Sequence, residues 1–312
     1  MRRYRILAFD GGGILGLMTL VLLERILEEF PRFIADAEVI AGTSTGGIIA
    51  LGLAHGMHPR EIRHLYESKA TAIFRDSWAD DVLDLGNMLG ANYDGRGLEQ
   101  ELRRIFGDTT LGQLKKNVLI PAFDLDNASP NPLRRRWAAK FFSNMGGVYG
   151  DQEVPVYKVA MYTSAAPTYF PAYEGYIDGG VVANNPSVAA LAHALDMRKQ
   201  SNPPGLSDIA LCSMGVGQSL RYIDGERLDW GYAQWARPLV SILINGVMGV
   251  VDYQCQQFLH DRYWRLNPAY PPQTNLELDA IDRIPYLVEF ARNVDLATTF
   301  LWIDRTWRTP ER

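Results

Sequence analysis

Two short apolar runs, residues 5–9 and 38–41, each end in a glycine-containing loop and lead directly into a helical pattern. Strand, tight loop and helix repeated in succession place neighbouring strands parallel, with helices packed on the sheet. The first loop is Asp10-Gly11-Gly12-Gly13, after which Leu17, Leu20, Leu23 and Leu27 recur at helical spacing. The second is Gly42-Thr43-Ser44-Thr45-Gly46, followed by a helix-like run over 47–54. Both loops fall at the carboxyl edge of the strands, where α/β proteins gather their binding groups.

The rest of the chain extends this scheme. Residues 59–74 and 97–106 read as amphipathic helices, joined by polar connections around Asp80, Asp84 and 92–96. Strands are predicted over 118–123 and 137–142, a helix over 156–165, and an apolar run over 173–177 that ends in Asp178-Gly179-Gly180. Pro186 sits early in a helix predicted to reach Lys199, where its missing N–H costs nothing. Ser201-Asn202-Pro203-Pro204-Gly205 reads as a linker, and 209–214 as a late strand of the same sheet. The predicted class is α/β, a three-layer α/β/α arrangement around a mostly parallel sheet. A single domain over 1–312 is expected, with its core at about 5–215 and a mostly helical C-terminal extension over 216–312.

Composition narrows the function. Hydrophobic residues make up 47% of the chain, enough for a buried core, and 31 basic residues against 36 acidic ones give a net charge of −5. That balance excludes a nucleic acid polymer as partner, because such binders are broadly basic. Cys212 and Cys255 suggest neither a disulfide framework nor a metal site, which fits a reducing cytoplasm. Asp10 and the glycines after it interrupt the basic N-terminus before a secretion signal develops, so the start reads as mature protein. The longest weakly polar stretch, 39–53, contains four glycines and falls short of the roughly 20 apolar residues of a spanning helix, so membrane contact is expected to be peripheral. The aliphatic cluster at 239–251 reads as core or lid packing, and Arg134-Arg135-Arg136 as a solvated charge run.

Ser44 reads as a serine on a sharp strand-to-helix turn, the nucleophile elbow of acyl-transfer enzymes, with small residues on both sides so that the chain can reverse. The run Gly11-Gly12-Gly13-Ile14-Leu15-Gly16 can aim backbone N–H groups at one oxygen, as an anion or oxyanion cradle. Its spacing also satisfies a dinucleotide-binding pattern, but that needs an acidic residue at the end of the next strand. Here that strand ends in Gly42-Thr43-Ser44. His55, His58, His64, His193 and His260 fall within helix-like stretches or at a helix start, so none presents itself as the base. Asp178 ends an apolar run, and Gly179 and Gly180 let it approach a neighbour closely. Taken alone, this dipeptide reads far more readily as an ordinary Asp-Gly turn.

Taken together, Asp10 to Gly16, Gly42-Thr43-Ser44-Thr45-Gly46-Gly47 and Asp178-Gly179-Gly180 resemble patatin-like phospholipases of the bacterial type. Ser164-Ala165-Ala166-Pro167-Thr168-Tyr169-Phe170-Pro171 and Asn184-Asn185-Pro186 are similar to the segments that flank the aspartate there, so the resemblance covers about 5–195. It implies a hydrolase with Ser44 as nucleophile, Asp178 as general base and Gly11, Gly12 and Gly13 as oxyanion hole. Gly16, Gly42, Gly46, Gly179 and Gly180 support the motifs, and neither metal nor cofactor is implied. Acyl esters of membrane phospholipids are the implied substrates, met by a cytoplasmic protein in peripheral contact with the inner membrane. Some bacterial relatives are effectors switched on by cyclic nucleotides in antiphage signalling, so a cyclic nucleotide activator belongs to the same expectation. Leu15 departs from the family, many members of which carry Arg or Lys there; the backbone donors are unaffected. A general carboxylesterase or acyltransferase using the same dyad, and a lipid-binding scaffold without turnover, are the alternatives.

Overall fold

The computed structural model describes residues 3–74, 91–146, 150–196, 203–225, 229–274 and 276–308, so the predicted features at Asp80, Asp84, Lys199 and Ser201-Asn202 lie outside the described residues. Strands form where successive residues are apolar, as strands covered on both faces require. They are β1 (Tyr4–Phe9), β2 (Val39–Gly42), β3 (Asn117–Asp124), β4 (Ala138–Ser143), β5 (Tyr176–Asp178), β6 (Ile209–Met214) and β7 (Tyr263–Leu266). The helices are α1 (Gly16–Glu29), α2 (Thr45–His55), α3 (Pro59–Phe74), α4 (Arg96–Phe106), α5 (Val156–Ser164), α6 (Gly180–Ala183), α7 (Ser187–Ala194), α8 (Tyr232–Leu259), α9 (Ile284–Asn293) and α10 (Ala297–Trp302).

The sheet runs β4-β3-β2-β1-β6-β7, with β5 pairing separately to β3. Pairs β1–β2, β1–β6, β2–β3 and β6–β7 are parallel, whereas β3–β4 and β3–β5 are antiparallel. Side chains alternate across the pleat. Leu7, Phe9 and Ile40 therefore face a core shared with α1, α2, α5 and α9, while Ile6, Ala8, Val39 and Ala41 face α7 and the end of α8. Three layers follow, as the sequence predicts. Cys212 and Cys255 are free, buried and on opposite faces of the sheet.

The C-terminal third departs from its sequence reading in two ways. Within a segment read as mostly helical, β7 adds a strand to the sheet. The 239–251 cluster, read as core or lid packing, instead lies on α8 with Leu239, Val240, Ile242, Leu243, Val247 and Val250 exposed. Residues Pro238–Arg262 are also long and apolar enough to cross a membrane by length and composition, which the sequence reading of 39–53 as the strongest such stretch overlooked.

The last helical turns lock onto the first strand. Trp307 is buried, its ring lies 4.8 Å from that of Phe33, and its indole N–H donates to the Phe33 carbonyl at 3.0 Å. Its own carbonyl accepts the Nε–H of buried Arg5 at 2.5 Å. Trp307→Ala removes a large buried side chain and should cost about 3–5 kcal/mol. Urea denaturation followed by circular dichroism checks this.

Candidate active site

One flank of β3 is shared by two strands that arrive from opposite directions. β2 pairs along it in parallel as far as Ala41↔Leu119, and β5 pairs along it antiparallel from Asp124↔Tyr176 to Ala122↔Asp178. The two strand ends therefore meet head-on, the chain leaving β2 through Ser44 and β5 finishing at Asp178. Residues far apart in sequence become neighbours through this register alone.

At Ser44 the backbone adopts φ 54° and ψ −123°, a conformation that an L-residue holds only under constraint and at a cost on the order of 1–3 kcal/mol. The constraint is visible. The Ser44 N–H donates to Thr163 Oγ1 at 2.9 Å, the Thr163 hydroxyl donates to the Pro121 carbonyl at 2.6 Å, and the Thr43 hydroxyl donates to the Ala183 carbonyl at 2.6 Å. Gly46, in the first turn of α2, packs so tightly on β1 that a Cβ there would lie 2.4 Å from the Phe9 carbonyl oxygen. Ser44 thus stands at the N-terminus of α2, where the helix dipole favours negative charge.

Asp178 is buried, and the Ser44 hydroxyl is near enough to its carboxyl to lower the carboxyl's pKa. The Gly180 N–H donates to Asp178 Oδ1 at 2.6 Å, while the Asp178 N–H is held by the Ala165 carbonyl at 2.9 Å. Burial pushes this carboxyl up to about 6; the bonds from Ser44 and Gly180 pull it in the opposite direction but do not prevail. A carboxylate of that basicity beside a hydroxyl is placed to accept its proton near neutral pH. His55 lies at the other end of α2 from Ser44, its ring edge-on to Phe106.

The glycine loop needs one revision of the expected donor set. The Gly11 N–H is already engaged, donating to the Asn184 carbonyl at 3.0 Å, whereas the N–H groups of Gly12 and Gly13 have no partner among the described residues. Gly13 has φ +56°, and a Cβ there would strike the Leu278 carbonyl oxygen at 2.2 Å. Gly16 begins α1, Gly42 ends β2, and Gly179 follows Asp178 into α6. Buried Leu15 points into the core, so the departure from a basic residue is absorbed by packing.

Three residues have positioning roles that the sequence reading did not assign. Thr163 holds the elbow, and Asn184 clamps Gly11 from both sides, with its Nδ2 donating to the Gly11 carbonyl at 3.2 Å. Arg265, from β7, forms a two-point ion pair with Asp10 at 3.0 and 2.5 Å and donates to Ser213 Oγ at 2.8 Å. A buried carboxylate just before the glycines demands a counter-charge, and that demand was the one available signal.

The sequence pattern of the family described as Patatin-like phospholipase matches residues 7–191. The chain is similar to Protein teg of Priestia megaterium, 29% identical with 98% of this chain and 100% of that protein covered. It is also similar to a cGAMP-activated phospholipase of Pseudomonas aeruginosa, 30% identical with 90% and 83% covered. Among solved structures, VipD from Legionella pneumophila aligns over 93% of this chain and 67% of its own at 13% identity and a TM-score of 0.44.

Arg265→Met leaves Asp10 buried without its partner and should destabilise the fold by about 3–5 kcal/mol. The double variant Asp10→Asn/Arg265→Met removes both charges and should recover much of that loss, as read by chemical denaturation.

Proposed function

Because this chain belongs to the patatin-like phospholipase family, we propose that it releases fatty acids from membrane phospholipids through a Ser44–Asp178 dyad. The observation that carries this reading is a strained serine whose hydroxyl acts on the pKa of a buried, unusually basic carboxylate, the two brought together where β2 and β5 meet. In the proposed reaction Asp178 takes the Ser44 proton as Oγ attacks the ester carbonyl. The N–H groups of Gly12 and Gly13 receive the developing oxyanion, and the N-terminus of α2 favours the same charge. Collapse of the tetrahedral intermediate expels the alcohol, which takes the proton from Asp178. Water, deprotonated by Asp178, then attacks the acyl-enzyme carbonyl and frees Ser44.

In this reading one catalytic domain works on the inner membrane from the cytoplasmic side. The 30% identity to a relative named a cGAMP-activated phospholipase supports extending cyclic-dinucleotide activation to this chain, and with it an effector role in antiphage defence. A scaffold without turnover would have no use for the strained elbow. A general esterase would, and the products distinguish it.

With a bacterial lipid extract, assayed with and without added cGAMP, wild-type protein should yield free fatty acids and lysophospholipids by mass spectrometry. Ser44→Ala should yield none and should lose labelling by a fluorophosphonate. Equal product from Ser44→Ala would overturn the assignment.

Proton linkage gives a second test. Asp178 must be ionised to act, so kcat/KM for a soluble ester should be level above about pH 7 and fall roughly tenfold per unit below about pH 6. The folded-state value lies above that of a free carboxyl, so the native state binds more protons between about pH 4 and 6, and this group removes stability as pH rises through that window. Asp178→Asn should therefore lose activity by about 100-fold or more and at pH 7 be more stable than wild type, by up to about 3 kcal/mol.

A further inference from the structure

An amphipathic helix normally hides its apolar face, and α8 does the reverse. Residues 238–251 contain no charged side chain, and Val240, Leu243 and Val250 are each more than half exposed. At about 100° per residue, the exposed positions from Leu239 to Tyr253 cover roughly half the helix circumference. The opposite half is fixed to the body: Met248 Sδ accepts from Asn184 Nδ2 at 3.0 Å, and Cys255 and Leu259 are fully buried. A helix attached along one side and apolar along the other is built to lie on a bilayer, not to cross it.

The loop joining β3 to β4 supplies a second contact of matching chemistry. Leu133 is 95% exposed and Trp137 71% exposed, and between them Arg134 and Arg136 have no side-chain partner among the described residues. Arg135 alone is paired, with Asp126. β3 continues two residues past the level of Asp178 before entering this loop, so the loop stands at the same sheet edge as Ser44. Tryptophan at the interface and arginines facing headgroups are what an anionic bilayer selects.

We propose that the exposed half of α8 and the 133–137 loop together form a docking face for an anionic phospholipid bilayer, with the catalytic edge between them turned toward the lipid. The choice of a bilayer as occupant rests on the phospholipase reading above. The unpaired arginines add charge complementarity that a second copy of this net −5 chain does not require.

Sedimentation with phosphatidylglycerol/phosphatidylethanolamine vesicles tests the face, with hydrolysis of a short-chain p-nitrophenyl ester run in parallel. Wild type should bind these vesicles in preference to phosphatidylcholine, and added salt should weaken the preference. Leu243→Asp/Val247→Asp should weaken binding at least tenfold, and Arg134→Glu/Arg136→Glu should abolish the preference for phosphatidylglycerol, while both keep the wild-type rate on the soluble ester. Wild type that ignores the vesicles, or a helix variant that binds them as wild type does, overturns the proposal. So does light scattering in which the helix variant dissociates a wild-type dimer while vesicle binding persists, since the face would then be one of self-association. If wild type binds vesicles but hydrolyses neither ester nor lipid, the docking face stands and the dyad reading fails.

Discussion

β3 offers one of its flanks first to β2 and then, from the opposite direction, to β5, and the meeting of Ser44 and Asp178 depends on that handover. A parallel sheet by itself would leave Ser44 at a strand end with only loops around it. The short antiparallel intruder brings a carboxylate to the same level, with backbone hydrogen bonds fixing its height to within a residue. Because register is quantised in steps of two for side-chain direction, a slip by one residue would turn Asp178 away from the serine. Gly179, which continues the chain, also lies against β3 at Pro121, so the handover is held on both sides of the aspartate.

This arrangement is costly, and the surrounding structure shows where the cost is met. The elbow carries backbone strain, and Asp178 is taken out of water, which raises its pKa. Neither is relieved locally. Instead the elbow is cross-braced by Thr163 and Thr43, and the whole edge rests on β1 and β6, every residue of which is buried except Tyr4. An apolar core of this extent tolerates a few unfavourable groups because its stabilisation grows with area, while each functional defect is a single localised penalty.

How much of this was legible in the sequence varied with the range of the interaction. Most strands and helices up to β6 emerge from apolar runs and glycine loops within a residue or two, since those patterns are local, but the short α6 was not anticipated, β5 starts only at Tyr176, and α7 ends at Ala194 rather than reaching Lys199. Ser44, Asp178 and the glycines were legible because each sits in a short motif. Their convergence rested on family resemblance, because register between β3 and β5 leaves no local trace. The engaged N–H of Gly11 was invisible for the same reason: its acceptor, Asn184, is contributed by the turn after α6. The strand β7 was missed because it is short, partly polar and interrupted by Arg265, the residue that makes it useful. The apolar run of α8 was visible, but whether it faced the core or the solvent could be decided only by knowing what packs against it.

The C-terminal third, weakest in sequence signal, holds the glycine loop from three sides. Arg265 pairs with Asp10, the Leu278 carbonyl accepts the Ile14 N–H at 2.8 Å, and Met248 reaches Gly11 by way of Asn184. Each contact orients a peptide unit within a few bonds of the N–H groups of Gly12 and Gly13. Coupling between a distant event and a reacting atom needs a continuous physical path. From the attached side of α8, two hydrogen bonds through the Asn184 side chain lead from Met248 to the Gly11 carbonyl.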